Sequence, residues 1–331
     1  MRIAMFGLRA DEATCLDAIE GTLGCEVVRY AEQPSPENAG LVAGCEGVSI
    51  LGLAPIGEAL LDAWAKQGVR FLSTRSIGYD HIDLAGAAKV GIRVCNVRYA
   101  PDGVADFAVM MILLCLRNYK AALWRGQVND FSLFGLEGRE LRSLTVGVMG
   151  TGRIGRTVLR DLSGFGCRLV AYDVRRDEEV AGLAEYLPLD EFYRECDVIS
   201  LHMPLLESTR HIVDDESIAR MRRGVVIVNC ARGELASLDS LIKGIEQGRI
   251  GALGLDVVEG DEGIAHRDHR VDILSDQKMA YLRQFPNVVM TQHMAFYTHE
   301  AVAGMVEGGL RGIIDMSESA RGATELTAGG E

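Results

Sequence analysis

Short apolar runs alternate with amphipathic stretches along almost the whole chain. Runs at Ile3–Phe6, Glu26–Tyr30, Val48–Leu51, Val69–Leu72 and Ile92–Cys95 predict strands, and Glu12–Leu23, Glu58–Gln67 and Leu84–Val90 between them predict helices. Tyr99-Ala-Pro101-Asp102-Gly103 then breaks the pattern, with Asp102 placed to cap a long helix that begins near Val104. That helix is apolar on nearly all sides (Phe107, Met110, Met111, Leu113, Leu114), which predicts burial between domains or subunits rather than inside one core. From Leu144 the alternation resumes. Strands are expected at Thr145–Met149, Arg168–Tyr172, Val198–Leu201, Val225–Val228, Ala252–Leu255 and Val288–Met290, and helices such as Ser217–Met221 and Ser237–Gln247 between them. Thr298–Ser317 reads as one amphipathic helix that returns to the first domain, and the tail Ala320–Glu331, without an apolar stripe, is assigned no structure.

Strand–helix alternation of this kind predicts an α/β protein with parallel sheets. The 331 residues exceed what one ordinary core organises, so two domains are expected. We place a discontinuous first domain at 1–99 plus 299–331 and a second at 100–298. A net charge of −13 argues against nucleic acid or an anionic membrane as partner, while one or two arginines could still hold an anionic substrate locally. The eight cysteines form no CxxC pair, so reduced core thiols are expected and no metal site. Met1–Leu8 is too short for the apolar part of a secretion signal and reads as a first strand, and Val104–Leu116 is too short to span a bilayer. The expected compartment is the cytoplasm.

The strongest chemical signal is Val146-Gly-Val-Met-Gly150-Thr-Gly152-Arg-Ile-Gly155. Gly150 suits a tight turn, Gly152 lets backbone approach a pyrophosphate, and Gly155 lets the next helix lie close to the sheet. Ile154, Val158 and Leu162 give that helix a sheet-facing side. Asp173 ends the next strand 173 − 155 = 18 residues after the last glycine, near the roughly 20 expected for a ribose-binding acid. Together these predict a nicotinamide dinucleotide, with Asp173 favouring NAD and Arg175 and Arg176 able to soften the discrimination against NADP.

In open α/β sheets ligands bind beyond the carboxyl ends of the strands. The groups there are Gly150, Asp173, His202-Met203-Pro204, Cys230-Ala231-Arg232-Gly233, Asp256 with Asp261, and Gln292-His293. Arg232 offers a planar fork for a carboxylate or a carbonyl oxygen, and a histidine such as His293 is the residue type suited to exchange a proton with an alkoxide near neutral pH. Asp261 or Glu262 could hold that imidazole and raise its pKa. His202, His266, His269 and His299 lack comparable context as acid/base candidates.

Taken jointly, Gly150–Gly155, Leu201-His-Met-Pro204, Val228-Asn-Cys-Ala-Arg-Gly233, Leu255-Asp-Val-Val-Glu-Gly260 and His293-Met-Ala-Phe-Tyr-Thr298 resemble the D-isomer-specific 2-hydroxyacid dehydrogenases. Ser73–Asp83, Asn96–Pro101 and Phe296-Tyr-Thr resemble the D-lactate dehydrogenase branch, the vancomycin-resistance enzymes especially. The resemblance implies two Rossmann-like doubly wound parallel-sheet domains with a cleft between them, usually in a homodimer. It implies that Arg232 binds substrate, that His293 is the acid/base, and that Asp261 supports it. Gly150, Gly152, Arg153, Ile154, Gly155, Asp173, His202, Met203, Pro204, Thr209, Cys230, Ala231 and Asp256 fall where that family contacts NAD. Backbone N–H groups of Ser76, Ile77 and Gly78 match those that hold the substrate carboxylate, and Tyr99 and Phe296 lie on the substrate side. Two departures stand out: aspartate at 261 where the family has glutamate, and Gln292 where it usually has proline. The shorter Asp261 reaches roughly 1.5 Å less far toward the imidazole, so either the loop moves in, Glu262 takes the role, or the dyad is looser.

The implied activity is NAD-dependent reduction of small, pyruvate-like 2-keto acids to (R)-2-hydroxy acids. The apolar loop Leu51-Gly-Leu-Ala-Pro55 with Tyr99 and Phe296 leaves bulkier aromatic or branched 2-keto acids as an alternative. A non-catalytic NAD-sensing protein is a further alternative. It would keep the glycine turn and could lose Arg232 and His293, which are both present here.

Overall fold

The computed structural model describes residues 1–261, 263–272 and 276–327. The chain divides into two compact units, Met1–Ala100 with Tyr297–Glu331, and Pro101–Phe296.

The first unit is a five-stranded parallel sheet in the order β2-β1-β3-β4-β5, formed by β1 (Arg2–Met5), β2 (Glu26–Arg29), β3 (Gly47–Ile50), β4 (Phe71–Thr74) and β5 (Arg93–Cys95). Because both faces are covered, the inner strands β3 and β4 are buried along their whole length rather than alternating between buried and exposed. Successive residues of β1 show this: Ala4 and Phe6 face Leu61 and Trp64 of α2 (Glu58–Lys66; α1 is Ala10–Ile19, α3 Leu84–Lys89), while Ile3 and Met5 face Leu16 of α1 and Leu310 and Ile313 of the C-terminal helix His299–Glu318.

The tail differs from expectation. Leu326 N–H donates to Val94 O at 2.7 Å, Asn96 N–H donates to Thr324 O at 3.2 Å, and Glu325 pairs with Arg93 at 2.6 Å. Residues 322–327 thus cover the open edge of β5, using backbone pairing and one ion pair that carry no periodic signature.

The second unit is a seven-stranded parallel sheet in the order β12-β11-β10-β9-β6-β7-β8. Its strands are β6 (Thr145–Met149), β7 (Arg168–Tyr172), β8 (Glu185–Tyr186), β9 (Val198–Leu201), β10 (Val225–Asn229), β11 (Ile250–Leu255) and β12 (Val288–Met290). The chain builds outward from β6 to β8, then returns to the other side of β6 with β9, so the order reverses between β6 and β9. That reversal is where doubly wound sheets open a crevice.

The long helix α4 (Asp102–Leu116) is followed by α5 (Tyr119–Gln127) and α6 (Arg153–Ser163). Ala105, Ala108, Met111, Ile112 and Cys115 of α4 share a core with Val146, Val148, Val228 and Ala252 of the sheet. Expected at an interface, α4 therefore lies with its buried face inside its own unit. Gly254 on β11 permits this, since a Cβ there would stand 3.2 Å from Cys115 Sγ and 3.3 Å from Met111 Cβ. Asp102 does not cap: Pro101 occupies the capping position and Asp102 falls in the first turn. Among the described residues no single helix is long and apolar enough to cross a membrane. All eight cysteines are free thiols, and burial pushes Cys95 and Cys115 up to about 12.

Candidate active site

The glycine turn sits at the switch point between β6 and β9. Gly150 has φ +93°, and a Cβ on it would stand 2.7 Å from the carbonyl of His202 and the nitrogen of Met203, so only glycine lets the two strand ends meet. A Cβ on Gly155 would stand 1.9 Å from Gly150 O, so this glycine sets how closely α6 enters the turn. Gly152 is different. It caps α6, and nothing lies within 4 Å of where its Cβ would be. Open space therefore fronts the first N–H groups of an 11-residue helix, led by Arg153 and Ile154, which fits a pyrophosphate. At the end of β7, Asp173 Oδ2 accepts from the N–H of Thr151 at 2.7 Å and from its hydroxyl at 3.1 Å. Asp173 Oδ1 accepts from Arg175 N–H at 3.0 Å, so the carboxylate is pinned beside the turn. These residues fit a dinucleotide.

Beyond β9, the His202 N–H donates to Met149 O at 2.7 Å and its Nε2 lies 2.7 Å from Ser200 Oγ. Burial lowers the imidazole to about 4, so it is neutral at physiological pH. Met203 is buried and Pro204 exposed, and the Thr209 hydroxyl closes their loop by donating to Pro204 O at 2.7 Å. Beyond β10, Cys230 is buried and its thiol is pushed well above the usual range by burial. Asn229, which the motif reading passed over, shapes the turn. It accepts from Ala231 N–H at 3.0 Å and donates to Arg232 O at 2.7 Å. The half-buried Arg232 donates to Ala231 O at 2.8 Å, and a Cβ on Gly233 would stand 2.2 Å from Val258 C, so the Arg232 turn lies directly against the loop after β11.

That loop carries Asp256, 2% exposed. Its carboxylate accepts from the Thr291 hydroxyl at 2.6 Å, Met294 N–H at 2.8 Å and Ala295 N–H at 2.7 Å, while its backbone carbonyl accepts from His293 N–H at 2.8 Å. His293 adopts φ +57°, a left-handed conformation costly for a side chain with a Cβ, and Asp256 is what holds it there. His266, a weaker candidate by sequence, comes to the same place. Its ring lies 5.9 Å from those of His293 and Phe296, and its Nε2 is 2.9 Å from His293 O. Asp261 Oδ2 accepts from Val258 N–H at 3.1 Å. Glu262, the alternative support for the imidazole, lies outside the described residues. His211, unremarked by sequence, pairs with Glu259 of the same loop at 2.6 Å.

Ser76, Ile77 and Gly78 follow β4 in the first unit, and Tyr99 packs there against Gly304 of the C-terminal helix. The Ser76 hydroxyl donates to Gly78 O at 2.7 Å and Asn96 Nδ2 donates to Ile77 O at 2.7 Å. Just before them, the fully buried Arg75 pairs with the fully buried Glu12 at 2.9 Å and donates to Phe6 O at 2.9 Å, tying β4 to β1 and α1.

Residues 109–295 match the model of the D-isomer specific 2-hydroxyacid dehydrogenase NAD-binding domain. The chain is 40% identical over 309 residues to an aromatic 2-oxoacid reductase of Clostridium sporogenes, covering 93% of each protein. It is 36% identical over 319 residues to a D-specific alpha-keto acid dehydrogenase of Enterococcus faecalis, covering 96% of this chain and 98% of the relative. Its fold superposes on the solved structure of a D-2-hydroxyisocaproate dehydrogenase with a TM-score of 0.90 at 29% identity, covering 99% of this chain and 100% of the other. With its glycine turn, Arg232 and His293 in place, the chain belongs to the D-isomer-specific 2-hydroxyacid dehydrogenases, in their D-lactate dehydrogenase branch, and is an NAD-dependent enzyme.

Proposed function

We propose that the protein reduces small, pyruvate-like 2-keto acids to (R)-2-hydroxy acids. The observation that carries this reading is that the Arg232 turn packs against the loop after β11, whose Asp256 anchors the backbone of His293, at the same sheet edge as the glycine turn. Bound NADH supplies the hydride. Backbone N–H groups of Ser76–Gly78 hold the substrate carboxylate, and Arg232 binds the substrate and stabilises the charge that grows on its keto oxygen. His293 delivers the proton to that oxygen and takes it back in the reverse direction. Asp261, or Glu262 in its place, supports the imidazole.

A second reading concerns side-chain size. The loop after β3 is apolar, Leu53 is part-exposed there, and the 40% relative is named for aromatic 2-oxoacids. A panel of keto acids with NADH, from pyruvate to phenylpyruvate, decides between them by kcat/KM.

We further propose a cytoplasmic homodimer. The eight free thiols suit a reducing compartment. Leu123, Trp124, Val128, Phe131, Leu133 and Phe134 are all more than half exposed along α5 and the segment after it. An apolar patch of that size on one strip of surface suits a second copy of the chain.

A further inference from the structure

The three carbonyls of the Ser76–Gly78 loop are each engaged by a donor. Val97 N–H reaches Ser76 O at 3.4 Å, Asn96 Nδ2 reaches Ile77 O at 2.7 Å, and Ser76 Oγ reaches Gly78 O at 2.7 Å. Among the described residues nothing accepts from the N–H groups of Ile77 and Gly78. Two donors are thereby left for an anion: the held carbonyls of Ser76 and Ile77 fix the peptide planes that carry them, and the Ser76 hydroxyl, by holding Gly78 O, closes the loop around them.

The Ser76 hydroxyl is the one side-chain brace inside the loop, and its own orientation is set further back. Thr74 Oγ1 lies 2.7 Å from Ser76 Oγ and 3.1 Å from His81 Nε2. Each hydroxyl has one proton. Ser76 spends its proton on Gly78 O, which can only accept, so toward Thr74 it must accept. Thr74 therefore donates to Ser76, and must itself accept from His81. The imidazole then carries its proton on Nε2. Any other arrangement sets two lone pairs against each other at one of these contacts. The same imidazole also limits the neighbouring loop: a Cβ on Gly52 would stand 2.9 Å from His81 Cε1 and 3.0 Å from Ser76 Oγ.

We propose that His81 is a positioning residue for substrate binding, acting as the Nε2–H tautomer that starts a one-way hydrogen-bond chain through Thr74 and Ser76 to the carboxylate-holding loop. The proposal rests on the reading that this loop binds the keto-acid carboxylate. His81 touches no reacting atom. Its effect falls on KM rather than on kcat.

The test uses the full-length enzyme with NADH, a turned-over keto acid and oxamate, a carboxylate-bearing analogue that cannot be reduced. His81→Phe removes the donor and Thr74→Val breaks the chain one step later. Both should raise KM and the oxamate Kd about tenfold while kcat and the NADH Kd stay within about twofold. The double variant should be no worse than either single one. His81→Gln, whose Nε2 can still donate to Thr74, should recover most of the affinity. Unchanged KM and oxamate affinity in His81→Phe would overturn the role of His81. If Ser76→Ala and its loop neighbours leave oxamate binding unaffected in an enzyme that turns over, the carboxylate reading fails instead. Nitrogen-15 spectra of the wild-type histidines at pH 8, with His81 assigned through His81→Gln, give an answer even if His81→Phe does not fold. Nε2 protonated supports the chain, and Nδ1 protonated with bare Nε2 refutes it.

Discussion

Replacing Asp256 with asparagine separates its structural work from any contact with the cofactor. Both carboxylate oxygens are taken up by protein donors: the Thr291 hydroxyl and Met294 N–H on one, Ala295 N–H on the other. Asparagine keeps one acceptor and turns the other oxygen into an NH2 group that faces a donor. A hydrogen bond to a charged group contributes about 1.5–3 kcal/mol, and a buried donor left unpaired costs about 1–3 kcal/mol. Asp256→Asn should therefore lose about 2–4 kcal/mol of folding stability, a large part of the ~5–15 kcal/mol typical of a folded protein. The released segment contains His293, whose left-handed backbone relaxes without the brace. A reacting group displaced by about an ångström costs on the order of 100-fold in kcat. Denaturant unfolding and steady-state NADH oxidation measure the two effects on one preparation. If Asp256 instead serves mainly as a cofactor contact, the variant will keep its stability and lose NADH affinity. That outcome, or a change under 0.5 kcal/mol with kcat within twofold, refutes the reasoning.

Gly155→Ala forces a Cβ to 1.9 Å from Gly150 O, so NADH binding should be abolished and the melting temperature lowered, read by NADH fluorescence and thermal denaturation. The imidazole of His202 is lowered to about 4 from an ordinary value near 6.5, so the unfolded chain binds its proton first. Stability from this group is complete above pH 6.5 and lost as pH falls toward 4, by at most about 1.4 kcal/mol per pH unit. Urea unfolding of wild type against His202→Gln between pH 7 and 4.5 should show the wild type with the steeper fall. If the protein is the proposed homodimer, Trp124→Asp with Phe134→Asp should give a monomer by light scattering, and a native mass already monomeric in the wild type would count against that proposal. Asp261→Asn should shift the pH profile of kcat/KM to lower pH if Asp261 holds His293, and an unchanged profile would point to Glu262.

Much of this was legible in the residues because the physics was local. Val146, Val148 and their counterparts in β7, β9 and β12 form apolar runs between glycine and polar breaks, and the strands there begin and end where the runs do. Gly150 and Gly155 announce their turn because a Cβ at either would collide with backbone, and Gly152 between them leaves open space for a ligand. What escaped was decided by neighbours distant in the chain. β8 has two residues and exists only through its pairing with β7, and residues 322–327 take their place along the edge of β5. Asn96, Asn229 and His81 carry no spacing signature, since their bonds define turns that sequence reading places but cannot shape. The buried pair of Arg75 and Glu12 spans 63 positions.

The central claim is that Arg232 and His293 make this NAD-binding fold a reductase of 2-keto acids. Its most direct test follows NADH absorbance at neutral pH with pyruvate and larger keto acids, with chiral analysis of the product. The account expects NADH consumption with at least one keto acid, (R)-2-hydroxy acid as sole product, and loss of at least 100-fold in kcat with His293→Asn. NADH binding without turnover of any keto acid would contradict it.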